Sequence, residues 1–285
     1  MRILTANFNM RSTLYTIFLL TITLNIYSQD KPCLPVKDVK FENLAFTHGE
    51  TLSYILNYTW GSVNTDVGEA NISLEYFTNS GEPFFLAKAQ GRTFKFYDVF
   101  FKVRDLYESK FYTKNLRPFY FHRDISEGKY RMRNTFSFLP NYKVKANYQR
   151  MTAAPRDTIL NGRICTFDLL TLFYFARNKD FSKDKIGVEQ PISFVIDGEM
   201  YDLYYRYLGK ETKKFPGLGT FRTIKFAARL IAGEVFSGKE ELTIWVTDDN
   251  NKIPLTFESP VIIGKVSGRL SNFTNVKYPL TSKIK

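Results

Sequence analysis

The sequence predicts an all-β protein: a single large antiparallel curved sheet or open β-barrel with one buried apolar helix over about 167–177. Three observations carry this. Large apolar side chains recur at every second position through most of the chain, the period of a strand with one buried face. Turn signals such as Asp197-Gly198 separate the alternating runs. One stretch, Phe167 to Arg177, is too long and too continuously apolar for a half-exposed strand, and it reads as a buried helix.

The elements follow in order. Leu52, Tyr54, Leu56, Tyr58 and Trp60 alternate until Gly61 ends the run, and Ile72, Leu74 and Tyr76 repeat the pattern, as do Phe94 and Phe96. Asp98–Val103 reads as a short helical turn. Strands are expected over Tyr107–Tyr112, Pro118–Ile125, Tyr130–Phe138 and Tyr142–Arg150, and Ala153–Ile159 reads as a loop. Thr166 is the expected N-cap of the helix. Ile192, Phe194 and Ile196 lead into Asp197-Gly198, after which Tyr201, Leu203, Tyr205 and Tyr207 alternate again, a hairpin signal. Later strands are expected over Thr220–Ala228, Glu240–Thr247, Pro254–Ser259 and Gly264–Phe273, with Asp248-Asp249-Asn250-Asn251 as a turn. The helix could cover the concave face, plug an end or lie at an edge, and the sequence leaves all three open.

The first residues set the compartment. Basic residues precede an uncharged apolar run from Leu14 to Leu24, and the first acidic residue is Asp30. This is the pattern of a secretory signal peptide, and the run is shorter than the roughly 20 residues that span a bilayer. Residues 1–29 are therefore expected to be removed, with cleavage after Ser28 or Gln29, leaving 30–285 as one β-rich domain. An uncleaved anchor or a buried helix is the alternative, and Met10-Arg11 is a possible alternative start. Cys33 follows Asp30-Lys31-Pro32, two charges and a proline where a lipobox would be, which argues against a lipoprotein. No other apolar run approaches spanning length, so the expected location is the periplasm. The other cysteine is Cys165. Export permits a Cys33–Cys165 disulfide, and the alternative is two buried thiols.

Motifs that carry chemistry are scarce. His48 and His122 are the only histidines, and neither His-x-x-x-His nor Cys-x-x-Cys occurs, so no metal site is expected. No Gly-x-Ser-x-Gly elbow occurs. Gly217-Leu218-Gly219 is a turn rather than a dinucleotide fingerprint, and no cofactor is expected. His48 reads as part of a turn, and His122 as the less buried face of a strand. Asp248–Asn250 lacks calcium-loop spacing. Glu50, Glu199 and Glu211 lie near expected strand ends and are the carboxylates a hydrolase would draw on, but nothing singles out a pair. The Tyr201–Tyr207 run reads as core packing or as an aromatic ligand surface.

Charge carries more information. The chain has a net charge of +12, and residues 88–163 hold 17 basic and 6 acidic residues, almost the whole excess. Arg117, Arg123, Lys129, Arg131, Arg133, Lys143, Lys145 and Arg150 form its centre. Arg131 and Arg133 share a strand face, as do Lys143 and Lys145, and adjacent strands could merge them into one basic surface. Outside the cytoplasm the anionic partner is a phospholipid, a lipopolysaccharide or an acidic envelope protein. Nucleic acid fits the charge but not the compartment. The alternative is a solvated outer face whose charges blunt sheet edges.

Several segments together resemble one family. Phe46-Thr47-His48-Gly49-Glu50-Thr51-Leu52-Ser53-Tyr54 through Gly61, Asp168 through Arg177, Ile196-Asp197-Gly198-Glu199 leading to Gly209-Lys210-Glu211, Trp245 through Leu255, and Gly264-Lys265-Val266-Ser267-Gly268 resemble the domain-of-unknown-function family 3108. They run in order from about Phe46 to Phe273. The resemblance implies a bacterial, exported, β-rich protein and supplies no catalytic residues. The half-barrel look is similar to that of periplasmic lipid carriers, at the level of fold alone. Asp157-Thr158-Ile159 resembles the O-glycosylation sequon of exported Bacteroidetes proteins, which suggests a member of that type.

The expected function is a non-enzymatic cell-envelope protein that binds a lipid-like or anionic ligand or an envelope partner. A structural or assembly subunit and a carboxylate-dependent hydrolase are the alternatives. The leader reading has a direct test: intact-mass measurement of protein recovered from a bacterial periplasm should show a polypeptide beginning at Gln29 or Asp30, with no acyl chain on Cys33. Recovery of uncleaved chain would overturn it.

Overall fold

The computed structural model describes residues 34–78, 81–229 and 241–284. The signal peptide, its cleavage point and Cys33 lie outside the described residues. Among the described residues one sheet of fifteen strands forms almost the whole structure. β1 (Thr51–Trp60), β2 (Val63–Phe77), β3 (Phe84–Thr93), β4 (Arg104–Tyr112), β5 (Pro118–Glu127), β6 (Tyr130–Phe138), β7 (Lys143–Arg150) and β8 (Arg156–Asn161) run as a meander. β10 (Glu189–Ile196), β11 (Glu199–Phe215), β12 (Gly219–Arg229), β13 (Glu241–Thr247), β14 (Pro254–Pro260) and β15 (Lys265–Thr274) form a second meander, and β15 returns to pair with β1. β9 (Thr166–Phe167) adds a two-residue parallel pair to β10; the other described ladders are antiparallel.

This is the expected architecture, and the period-2 signal explains why. In β1, Leu52 and Tyr54 are buried while Ser53 and Ile55 are not, and in β6 Met132, Asn134 and Phe136 point inward between exposed Arg131 and Arg133. The Asp-Gly hairpin forms as read: Ile196 pairs with Glu199, and Asp197 and Gly198 take positive φ of 55° and 76°. Both central residues of a type I′ turn need that conformation.

Three local readings change. Phe94 and Phe96 lie beyond β3, in a segment that makes a 3-10 turn at Tyr97–Val99. Two alternating positions are too few to specify a strand. Arg156–Asn161, partly read as loop, is edge strand β8 and contains Thr158. The helix α1 (Leu169–Arg177) is capped by Asp168, not Thr166. The Asp168 carboxylate accepts from the Leu170 and Thr171 amides, both at 3.0 Å, and from the hydroxyls of Thr171 at 2.7 Å and Ser109 at 2.5 Å. The Thr166 hydroxyl is instead engaged by Ser193 in the β9–β10 pair.

α1 lies on the concave side, touching β3 and β4 on one arm of the sheet and β10 on the other. Tyr174 is fully buried between Phe46 and Phe111, and Leu170 packs in the same cluster with Phe85 and Leu116. Its neighbour Phe175 stacks on Phe167, tying the helix to the opposite cluster of Ile192, Phe194 and Phe226. Burying each large aromatic side chain contributes roughly 1.5–3 kcal/mol, so one nine-residue helix joins two cores.

The ladder itself stays open, with β8 and β9 as its edges. The arms meet through side chains: Val195 of β10 packs with Phe121, Phe136 and Val144 of β5 to β7. Arg123 reaches from β5 to an ion pair with Asp197 in the opposite hairpin, and Asn134 donates to the same carboxylate. Beside the gap, Cys165 is buried and disulfide-bonded; the expected partner Cys33 is outside the described residues.

The helix ends on a buried ion pair. Arg177, the last residue of α1, donates to both oxygens of Glu50, at 2.5 Å and 2.9 Å, and its Nε donates to the Asn251 carbonyl at 3.0 Å. Both side chains are essentially sealed from solvent. Removing one partner of such a pair strands the other charge. Arg177→Met should lower stability by about 3–5 kcal/mol in urea titration. Glu50→Leu combined with Arg177→Met should recover a large part of that loss.

Candidate functional site

The eight basic residues singled out by charge do not form one patch. Arg123 is buried, and its guanidinium is held inside the sheet by Asp197. Arg117 lies in the turn between β4 and β5 and stacks on the Tyr142 ring at 5.0 Å. Lys129 and Arg150 flank the turns at the opposite end of the strands, after β5 and β7 respectively. Four remain on the outer face of two paired strands: Arg131 and Arg133 on β6, Lys143 and Lys145 on β7. Their positions follow from the pleat, since the alternate residues Met132, Asn134, Val144 and Ala146 are buried. Within the group Arg133 is paired with Asp124 at 2.9 Å. Arg131 donates to the Gly128 and Tyr130 carbonyls, which fix its guanidinium beside the β5–β6 turn.

The candidate carboxylates are also dispersed. Glu50 is committed to Arg177. Glu199 sits at the β10–β11 turn and accepts from the Tyr201 hydroxyl at 2.9 Å. Glu211, in the middle of β11, accepts from the Trp245 indole. Glu50 precedes β1 and Glu199 opens β11, and because these two strands run in opposite directions the two lie at opposite ends of the sheet and do not flank a common cleft. His48 lies in the turn before β1, where its carbonyl accepts from Asn275, and His122 bonds Thr135 across β5 and β6. Of the tyrosine run on β11, Tyr205 is buried against Phe181 and donates to Asp184. Among the described residues no group of three or more His, Cys, Asp or Glu side chains is placed to hold a metal ion.

The concave face is packed rather than hollow. Among the described residues one polar pocket and one of mixed lining, which includes Phe215 and Pro216, stand out. One, of about 240 Å³, is lined by Asn43, Arg177, Asn178, Asn250, Lys252 and Tyr278 at the end of α1. The other, of about 270 Å³, lies among Asn57, Asn64, Lys213, Glu258, Lys265 and Arg269. Neither has the apolar lining and several-hundred-Å³ size that an acyl chain requires. Burial lowers the Lys213 ammonium below its ordinary range, and it stacks on Trp245 at 3.4 Å.

One half-buried carboxyl, Asp105 on β4, has a raised pKa. Asp105 accepts the Ser126 amide at 3.0 Å and stands beside Glu127. Burial first, and then the charge of Glu127, pushes the Asp105 carboxyl up to about 7. Sequence reasoning missed this pair, because only the ladder brings β4 and β5 into that register. Among the described residues no helix is long and apolar enough to cross a membrane.

Comparison with known proteins places the chain within a wider set of β-structures. A family model described as a protein of unknown function, DUF3108, matches residues 53–271. A solved structure, a beta-barrel-like protein of the domain of unknown function DUF1849 from Brucella abortus, aligns over 81% of this chain and 98% of its own, with TM-score 0.53 and 8% identity. At that identity the likeness is one of fold. A chain described as "a putative lipoprotein" from Parabacteroides distasonis covers the same shares at 12% identity, with a TM-score of 0.34 that carries no argument. No curated protein matches the chain.

The Asp105 carboxyl makes stability depend on pH. In the folded state it holds a proton that the unfolded chain releases between about 4 and 7, so this contribution is complete below about 4 and is lost as pH rises through 7. Urea midpoints should therefore fall between pH 5 and pH 8. Asp105→Asn should flatten that fall while keeping the acceptor for Ser126. The buried Asp168, whose carboxyl is also raised by burial, leaves part of the slope in place.

Proposed function

This chain belongs to the DUF3108 family, and we propose that it is a non-enzymatic cell-envelope protein that recognises an anionic partner with the outside of its sheet. In this reading the leader is removed at Ser28 or Gln29, residues 30–285 work as one domain in the periplasm, and the chain is a Bacteroidetes-type member. That last point rests on the Asp157-Thr158-Ile159 sequon, with Thr158 half-buried on the edge strand.

The observation that carries the reading is the placement of Arg131, Arg133, Lys143 and Lys145 on one outer face of β6 and β7, above a fully packed interior. The register sets Lys143 and Lys145 toward the β6–β7 turn and Arg131 and Arg133 toward the other end of the strands, with Arg133 paired to Asp124; cations spread along this face raise its potential and favour phosphate or carboxylate groups. The partner chemistry is that of a phospholipid or lipopolysaccharide phosphate, or of an acidic envelope protein. A packed concave face and small pockets favour surface recognition, or a structural and assembly role, over enclosure of a lipid chain. Dispersed carboxylates weigh against the hydrolase.

The reading is tested by co-sedimentation with anionic and zwitterionic vesicles at low salt. Binding should favour the anionic vesicles and fall with added salt as the charges are screened. Each cation near an anionic surface contributes about 1 kcal/mol, so Lys143→Glu with Lys145→Glu should weaken binding by about tenfold or more. Equal and negligible binding to both vesicle types would sink the lipid form of the proposal.

A further inference from the structure

In an antiparallel meander, alternate connections emerge at the same end of the sheet. Here the β1–β2, β3–β4, β5–β6, β7–β8 and β14–β15 connections share one end. Among the described residues, seven large apolar side chains are at least 59% exposed. Five of them lie on these connections, Phe96, Val99, Phe100, Ile262 and Ile263, and a sixth, Trp60, is the last residue of β1 beside its connection. Val99 and Phe100 are 84% and 75% exposed. Single exposed apolar residues are ordinary, but six at a shared location mark a contact surface.

The connections touch one another. Tyr58 donates to the Ile263 carbonyl at 2.8 Å, which sets the β14–β15 turn beside Trp60. Tyr97 bonds Thr65, joining the β3–β4 segment to the start of β2. The Phe101 ring lies directly over Gly128 in the β5–β6 turn, where a β-carbon would come within 2.9 Å of it. The Met151 amide donates to the Arg131 carbonyl at 2.8 Å, linking the β7–β8 turn to the same row.

Cations border the apolar tips. Lys95, Lys102 and Lys129 are exposed on these same connections. Of the nearby acids, Asp98 is ion-paired with Arg104 at 2.6 Å, whereas Glu127 stands beside a second carboxyl, that of Asp105. Aromatic and branched aliphatic tips with lysines on the same connections complement a surface whose outer layer is anionic and whose next layer is hydrocarbon. Indole and phenyl side chains concentrate at that boundary.

We infer that this end of the sheet docks into the surface of an anionic phospholipid bilayer, with Trp60, Phe96, Val99 and Phe100 entering the headgroup and upper acyl region. The strands then stand on the membrane, with the open side of the polar pocket at the end of α1 on the far side. The proposal uses a surface separate from the outer face of β6 and β7, so either can fail without the other.

The chain carries its own reporter. It has two tryptophans; Trp60 is exposed and Trp245 is 5% exposed. With vesicles of phosphatidylglycerol and phosphatidylethanolamine, Trp60 emission should shift to the blue, and lipids brominated near the headgroup should quench it. Trp60→Phe should abolish both changes, leaving the Trp245 signal constant. Val99→Ser with Phe100→Ser should reduce vesicle partitioning by at least about tenfold with an unaltered thermal transition. Lys95→Glu with Lys102→Glu should reduce it on anionic vesicles and not on phosphatidylcholine. Lys143→Glu with Lys145→Glu should leave brominated-lipid quenching in place, which separates this docking from recognition by the outer face. Vesicle binding with no quenching of Trp60, or quenching unchanged by the Val99 and Phe100 substitutions, would overturn the inference. Concentration-dependent self-association lost in the Val99/Phe100 variant, without vesicle quenching, would assign the tips to a second copy and equally overturn it.

Discussion

The Arg177–Glu50 pair holds together parts of the chain that no ladder connects. Arg177 ends α1, Glu50 precedes β1, Asn251 lies in the β13–β14 turn, and Ala45 lies in the segment that enters β1. The Arg177 guanidinium bonds to all three partners. Asn251 then exchanges two hydrogen bonds with Tyr278 near the C-terminal end. A buried ion pair costs several kcal/mol to desolvate, and only complete satisfaction offsets that cost. Phe46, Phe173 and Tyr174 surround the guanidinium within 6 Å and add cation–π attraction. The result fixes where the helix stops and therefore how deeply it sits between the arms of the sheet.

The helix position explains the packed interior. Asp168 anchors its first turn to Ser109 of β4, and Arg177 anchors its last turn to the start of β1. With both ends pinned, the intervening aromatic residues are driven into the concave face, where Tyr174 and Phe175 join opposite clusters. A curved sheet of this size could enclose a ligand, but here its own helix occupies the space. The exposed cations and apolar tips lie instead on the sheet's outer face and on the connections at its ends.

Much of the fold was legible in the residues because one face of nearly every strand is buried. Alternation at Tyr130–Phe138 and the Asp197-Gly198 hairpin survive in the structure, while in Leu52–Trp60 it holds for Leu52 and Tyr54 and fades toward Trp60, which is exposed. The failures are local and share a cause. Phe94 and Phe96 alternate, yet the following Val99-Phe100-Phe101 does not, and that break was the available signal that the aromatic run leaves the sheet. Thr166 and Asp168 are both competent caps, and the choice fell to the residue that Ser109, distant in sequence, could also satisfy. Arg123 had the composition of a surface cation and was drawn inside by a partner 74 residues away.

By itself the sequence determined the class of fold, most of the strands, the position of the helix within the chain and the regional excess of positive charge, because each depends on periodicity or composition within a short window. Only the tertiary structure decided which charges share a surface, which carboxylates are buried and which apolar residues stay in solvent. Those outcomes depend on register between strands and on the meeting of the two arms, where β5 to β7 face β10 across a gap closed by side chains. Pairs such as Glu50 with Arg177, 127 residues apart, leave no trace in local spacing. They exist because a charge taken out of water must find its partner wherever the fold brings one within reach.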